Sequence, residues 1–483
     1  MTIAPNKITN RKELLIARAK ERVADLKRLQ EAGLICTHGD FFPSVHYPPI
    51  TMYSPITEEE LFQSYTLPED GLLDVYIHIP FCRQRCIFCH YPVQLGERNP
   101  EKDQYLDALE KEMDLYMRRL GIDKIKARSI LVGGGTPTYL SLEQLDKFLN
   151  FFVQRVDLST CTQFNYDVDP VTLIGEEGRE RLRLMRSYGV DRLTIGSQSL
   201  NADTLKKMNR HHGVKEILES IENAKEFGYQ VNIEFIFGYP GQTLDNWIEV
   251  MEHAVSLGTE EIQLYRLKIE AYGDFQGPIK RLSERQPDEL PTVEETLMMK
   301  QLAIDILNEH GYHENLRRVF TKERKHYSHY ADNQCCGLLD QVGFGLTAFS
   351  SLRDRFILNT QDFDEYYSMI AAGKMPINRG IVRNQEEQMR WAIILPLKNR
   401  TVWKSYFEKV TGGVSLNHVF RNKIENLKSF GLIVEDEQKI ELTKLGAFFA
   451  DEVVQQFHHS DYAPFSRDEY AQGLLYPYNN CEA

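Results

Sequence analysis

From about residue 72 to 270 the chain repeats one alternation. A short apolar, β-prone run leads into a turn rich in glycine, proline or cysteine, and an amphipathic helical stretch follows. Strand-like runs over 75–79, 130–132, 162–170, 191–200, 230–243 and 261–270 alternate with helical patterns over 101–120, 140–156, 177–188, 214–227 and 244–256, with a shorter helix at 202–207. Ser141 followed by Gln144 forms a capping box at the start of the second of these helices. Parallel neighbours need a crossover, and a helix is the usual one, so this pattern predicts an α/β fold around a parallel sheet. Ligands in such folds collect at the C-terminal ends of the strands. The cysteine- and glycine-rich turns of this chain fall there.

The first turn carries the most chemistry. In YIHIPFCRQRCIFCHYP (76–92), Pro80 ends the strand run, and Cys82, Cys86 and Cys89 follow with the spacing C-x3-C-x2-C. Thiolates are soft ligands that select iron–sulfur clusters, zinc or copper(I). Structural zinc takes four ligands, and the nearest fourth, His90, adjoins Cys89 in an awkward position for a tetrahedron. A cubane cluster on three thiolates leaves one iron open to a small molecule. A zinc knuckle is the competing reading. The next strand runs into Gly133, Gly134 and Gly135, then Thr136–Pro137. Such a turn lets the backbone approach a ligand and exposes N–H groups. G-x-G-x-x-G is absent, so it is no dinucleotide fingerprint, and a structural turn is the alternative.

Taken in register, YIHIPFC with its three cysteines, GGGTPT, GSQSL and FGYPGQT resemble the motifs of radical S-adenosylmethionine (SAM) enzymes. The specific resemblance is to the oxygen-independent coproporphyrinogen III oxidase-like family. It implies a partial (β/α)6 barrel with an N-terminal helical and irregular extension and a C-terminal winged-helix-like α+β domain that covers the active site. It also implies a [4Fe-4S] cluster on Cys82, Cys86 and Cys89, with SAM on the open iron. Tyr76 then aligns with the residue that packs against SAM, and Phe88 with the aromatic that shields the cluster. Gly133, Gly134, Gly135 and Thr136 meet the methionyl amine. Gln198 meets the nucleoside, and Arg210 the carboxylate through its guanidinium geometry. Asp167 stands where the family has Glu, near the ribose; one methylene shorter, it needs a closer backbone or a bridging water. Glu234 stands where the family has Asp, Gly238 closes that strand, and Gly343 with Gly345 closes the SAM site. Tyr76 and Tyr265 are the candidate catalytic residues, Tyr265 sharing a strand face with Gln263 and Leu267.

The expected division is 1–70 (extension), 71–275 (barrel), 276–380 (barrel-closing segment), 381–460 (winged-helix-like domain) and 461–483 (tail). In the extension, a helix over 10–34 should pack outside the main domain, and the aromatic stretch 41–55 offers Tyr47 and Tyr53 to a pocket. Residues 272–292 read as a polar surface crossing, followed by a helix at 294–310. Cys335 and Cys336 are neighbours and do not suggest a second cluster. Helices at 385–396 and 415–429 with a hairpin make the winged helix, and the tail reads as loosely held or folded over a neighbour. The basic run Arg317, Arg318, Lys322, Arg324 and Lys325 is either a solvated face or a substrate clamp.

A net charge of −13 disfavours nucleic acid, which demands concentrated Lys and Arg. No run of 18 apolar residues offers a membrane span, and the N-terminus lacks the apolar core of a secretory signal. Eight cysteines in 483 residues are too sparse for a disulfide scaffold. A cytoplasmic enzyme is expected, reduced by a flavodoxin or ferredoxin and acting on a small molecule, a tetrapyrrole or an aromatic natural-product intermediate. The decarboxylases of the family carry a further cysteine where this chain has Tyr91. With the Asp167 and Glu234 exchanges, this favours the class C branch, in which a second SAM supplies a methyl or methylene to an sp2 carbon. Porphyrinogen decarboxylation, heme modification and heme chaperoning are the alternatives.

Overall fold

The computed structural model describes residues 5–39, 41–96, 99–271 and 273–480. Six parallel strands lie side by side in chain order: β1 (Leu72–Ile79), β2 (Ile125–Gly134), β3 (Phe164–Val168), β4 (Arg192–Gln198), β5 (Gln230–Phe237) and β6 (Glu261–Arg266). Their central residues are buried on both faces, as parallel strands covered by helices must be. Helix α1 (Pro5–Glu31) precedes the sheet, and α2 (Asn99–Leu120), α3 (Leu142–Arg155), α4 (Gly175–Ser187), α5 (Val214–Glu226) and α6 (Leu244–Ser256) make the crossovers. At α3 the expected capping box is in place, Ser141 and Gln144 each bonding the other's backbone N–H. This is the α/β partial-barrel architecture that the alternation predicts.

The sheet extends past the six strands on both edges. Beyond β6 lies an antiparallel hairpin, β7 (His313–Leu316) and β8 (Val319–Thr321), reached through helix α7 (Val293–Glu309). Beyond β1 come β9 (Gln341–Phe344), parallel to it, then antiparallel β10 (Phe349–Leu352), β11 (Arg355–Asn359) and β12 (Ile377–Val382). The stretch 272–292 is more than a surface crossing. It carries a helix, Ile279–Arg285, whose Ile279 is fully buried against Met208, Ile236 and Tyr239, with Ile87 and Phe88 of the cysteine loop packed on the same cluster.

A second apolar core lies under α9 (Gln385–Lys398) and α10 (Leu416–Ser429), the helix α8 (Phe363–Ala371) belonging to the main body. Strands β13 (Thr401–Trp403), β14 (Ile433–Glu435) and β15 (Lys439–Leu442) form an antiparallel sheet in the order β13-β15-β14, giving the winged-helix-like unit. Helix α1 does not simply pack outside the main domain. Leu15 and Ala19 join the main core, while Leu26 and Leu29 join the second. The tail is held: Tyr470 and Tyr476 pack on Cys36, and the Leu475 N–H donates to the Ala32 carbonyl at 2.7 Å. Gly33, at φ +83°, permits this approach, because a Cβ there would stand 2.5 Å from the Ala471 oxygen. Cys481 lies outside the described residues.

Candidate functional site

The cysteine loop leaves β1 at Pro80 and is pinned on two sides by hydrogen bonds to its backbone. Gly135 and Thr136 N–H groups donate to the Ile79 and Phe81 carbonyls at 2.9 and 2.8 Å, zipping the glycine turn of β2 against the loop. Gly135 is required there, since a Cβ would sit 2.8 Å from the Phe81 oxygen and 3.0 Å from Cys82 Sγ. From the other side Ile87 N–H donates to the Met208 carbonyl at 3.1 Å, and Asn209 Nδ2 to the Arg85 carbonyl at 2.8 Å. Cys82, Cys86 and Cys89 are all partly buried and line one cavity of about 1050 Å³.

Burial pushes the Cys82 thiol up to about 12 and raises Cys89 as well. Thiols in such a setting ionise only when a strong positive centre binds them. His90 offers no fourth ligand, because Nε2 meets the Lys268 carbonyl at 3.1 Å and Nδ1 accepts the Gly277 N–H at 2.9 Å. The residues therefore fit a cluster on three thiolates better than a zinc knuckle.

Most of the other sequence candidates meet in the same cavity. Tyr76, Phe88, Gly134, Thr136, Asp167, Gln198, Arg210, Glu234 and Tyr265 all line it. Two half-buried carboxylates, Asp167 on β3 and Glu234 on β5, line the same cavity. Burial, then repulsion by Glu234, lifts Asp167 to about 7, and burial raises Glu234 in turn. Asn165 Nδ2 donates to Asp167 at 3.1 Å, and the Tyr265 hydroxyl donates to Glu234 at 3.1 Å. The Arg318 guanidinium lies 4.4 Å above the Tyr265 ring. The Tyr76 hydroxyl pairs with His78 Nδ1 at 2.9 Å, and its ring stacks on Phe349. Arg210 is already engaged: Nη1 donates to Cys86 Sγ at 3.0 Å, and Nη2 to Asp169 Oδ2 at 2.9 Å and the Gly196 carbonyl at 3.0 Å. A methionyl carboxylate would have to share it.

Four glycines do not line the cavity. A Cβ on Gly133 would meet Asp167 Oδ2 at 2.5 Å, so this glycine makes room for the carboxylate from behind. Gly238 backs onto Thr296 of α7, Gly343 onto Phe349, and Gly345 onto Tyr105 and the His78 carbonyl. Close packing favours glycine at Gly343 and Gly345, and a left-handed backbone favours it at Gly238 and Gly345, with φ of +80° and +102°. Tyr47 and Tyr53 also miss the cavity; the aromatic stretch lines it instead through Phe42, Val45, His46 and Ile50. Among the described residues nothing beyond Gln361 lines it, so the winged-helix-like unit does not cover the site. That unit holds the aromatic stretch from behind, His458 bonding Ser44 at 3.0 Å and stacking edge-on against Tyr47.

Arg318 belongs to the basic run that the sequence left as either a solvated face or a substrate clamp, and the β7–β8 turn, where it adopts φ +63°, brings it to the cavity wall. Sequence reasoning passed over other lining residues. Arg266 ends β6, Lys268 lies just past it, and both flank Phe41. Asp169 and His211 reach the wall beside Arg210, in a group with His212.

The Radical SAM superfamily model matches residues 76–254. The heme chaperone HemW of Bacillus subtilis is 31% identical over 389 residues, 79% of this chain and 98% of that protein. The oxygen-independent coproporphyrinogen III oxidase of Helicobacter pylori (strain ATCC 700392 / 26695) is 23% identical over 85% of this chain and 92% of its own length. The solved structure of coproporphyrinogen III oxidase (HemN) from Escherichia coli superposes with a TM-score of 0.73 at 23% identity, covering 85% of this chain and 96% of that one, which shows the shared fold. With three cysteines converging at the mouth of the parallel strands, the chain is a radical SAM enzyme and belongs to the family of the oxygen-independent coproporphyrinogen III oxidases and the heme chaperone HemW.

Proposed function

We propose that the protein holds a [4Fe-4S] cluster on Cys82, Cys86 and Cys89, binds SAM beside it, and abstracts hydrogen from a tetrapyrrole. Cluster and SAM together would supply an electron and a 5′-deoxyadenosyl radical. The chain's own part is placement and the exclusion of water. Phe88, backed by Ile279 and Tyr239, closes one side of the thiol loop. Asp167 and Glu234, both raised by burial, suit the hydroxyls of a ribose, which donate to an ionised carboxylate and accept from a protonated one. Tyr265, fixed by Glu234 and Arg318, presents its ring to the cavity, and Tyr76 presents its own from β1.

The observation that carries the reading is the continuity of the cavity. Its ~1050 Å³ runs from the three thiols to a wall bearing Arg266, Lys268 and Arg318 with aromatic neighbours. Single small-molecule pockets occupy about 300–1,000 Å³, so the space suits SAM together with a large flat substrate. Guanidinium groups on that wall suit carboxylate side chains of the substrate. The relatives favour this tetrapyrrole branch over the class C expectation, their names being those of heme and coproporphyrinogen proteins. A flavodoxin or ferredoxin is the proposed reductant, and the exposed Arg83 beside Cys82 suits an acidic carrier.

Heme binding without turnover is the second reading. It is favoured by the 31% identity to the HemW protein along nearly its whole length and by Tyr91 in place of a further cysteine. One anaerobic experiment separates the branches. Reconstituted, dithionite-reduced protein is given isotope-labelled SAM with coproporphyrinogen III, and separately titrated with heme. Release of 5′-deoxyadenosine with carbon dioxide loss from the porphyrinogen is the expected result. A heme Soret shift with no substrate turnover supports the second reading. 5′-Deoxyadenosine formed together with S-adenosylhomocysteine on an aromatic substrate would return the class C branch.

A further inference from the structure

A buried chain of charge leads away from the thiol loop. Arg210 Nη1 lies 3.0 Å from Cys86 Sγ, and its Nη2 donates to Asp169 Oδ2 at 2.9 Å and to the Gly196 carbonyl. The other oxygen of Asp169 accepts the Val171 N–H at 3.1 Å and lies 3.2 Å from His211 Nε2 and 3.7 Å from His212 Nδ1. The Arg210 and Asp169 side chains are 10% and 6% exposed, so water screens neither well. The carboxylate and two imidazoles have the spacing of a cation site. The guanidinium on the same carboxylate opposes a cation there.

We propose that Asp169 is a positioning residue that fixes Arg210 against Cys86, and that this neutral pair sets the reduction potential of the cluster. The inference rests on the cluster reading given under Proposed function. Hydrogen bonds to cluster sulfurs and nearby net charge are the main levers a protein has on such potentials. A cation stabilises the reduced, more negative form, and a carboxylate opposes it. Asp169 holds Arg210 in hydrogen-bond contact with Cys86 while cancelling its charge. Removal of either partner leaves the opposite unit charge beside the cluster, so the two removals must act in opposite directions.

The test uses full-length protein reconstituted under anaerobic conditions: wild type, Asp169→Asn, Arg210→Gln and Arg210→Lys. Iron and sulfide are measured first, and the midpoint potential is then read by EPR-monitored titration. The potential is expected to rise in Asp169→Asn and fall in Arg210→Gln, each by at least a tenfold change in the reduction equilibrium, about 59 mV for one electron. Arg210→Lys should recover most of the fall. Shifts in the same direction in both variants, or an unmoved potential in Arg210→Gln, would overturn the proposal. If Asp169→Asn does not fold, the Gln and Lys variants at Arg210 decide it alone. Wild-type protein that takes up no iron and sulfide would sink the cluster reading itself, a result distinct from an unshifted potential.

Discussion

At the scale of single residues, the site is built by close approach more than by exotic side chains. Gly135 illustrates this. Its Cα hydrogen faces the Phe81 carbonyl and Cys82 Sγ, and any Cβ intrudes on both. Gly135→Ala is therefore expected to cost about 1–3 kcal/mol through overpacking and to lower iron uptake on reconstitution. Gly273→Ala, where a Cβ meets nothing within 4 Å, should change stability by less than about 0.5 kcal/mol. Thermal melts and iron assays of the two variants give the comparison, and equal effects would refute it. His90 makes the complementary case. Both ring nitrogens serve the backbone, one toward Lys268 and one toward Gly277. His90→Ala should loosen that strap yet leave iron-to-protein stoichiometry after reconstitution unchanged. Zinc retained by wild type and lost in the variant would revive the zinc knuckle.

Among elements, the contact between α2 and the β9–β11 edge turns on one buried carboxyl. Glu112 of α2 is wholly buried; it accepts the Gly345 N–H at 2.8 Å, the Tyr366 hydroxyl at 2.7 Å and the Asn359 amide at 2.7 Å. Burial raises its carboxyl to about 7 from 4.5. A carboxyl raised in the folded state binds more protons folded than unfolded, so its contribution is full at low pH and is lost as pH climbs. The window runs from about 4.5 to about 7, and the loss across it is roughly 3 kcal/mol. Denaturant unfolding at points across that window should show stability falling with pH in wild type and a flatter profile in Glu112→Gln. A profile equally steep in the variant would assign the slope to other groups, Asp167 first among them. Glu112 was illegible in the sequence, because a lone Glu in an amphipathic helix reads as solvent-facing until the partner strand is known. The crossover helices were legible, their apolar periodicity and the Ser141–Gln144 cap being local signals. So were the cysteines and the glycine turn, which follow strands directly. Gly343 and Gly345 were ambiguous because glycine answers to any close approach, and the sequence does not say whether the neighbour is a ligand or a strand.

Over the whole molecule, two helices tie the two bodies together: α7, whose Leu297 joins the second core while Met299 and Leu302 join the main one, and α1. Leu15 of α1 belongs to the main core and Leu29 to the core under α9 and α10. The tail closes over the same end through Leu475 and Tyr476. This arrangement was hidden in the sequence, since α1 is amphipathic along its whole length and its face does not name its partners. It has a consequence for cooperativity. Trp247 reports on the main core, where it is fully buried and its indole N–H donates to the Met299 carbonyl at 2.8 Å. Trp391 lies in the second core and Trp403 on its exposed sheet. Leu29→Ala removes a side chain that is 0% exposed, and such truncations cost about 2–5 kcal/mol. Because Leu29 belongs to the second core, the loss should fall on that body first. Urea unfolding followed by fluorescence of single-tryptophan variants should give coincident midpoints with Leu29 intact. With Leu29→Ala the Trp391 midpoint should move down ahead of the Trp247 midpoint. Midpoints that move down together would show that the two cores unfold as one unit, with α1 as part of a single cooperative structure.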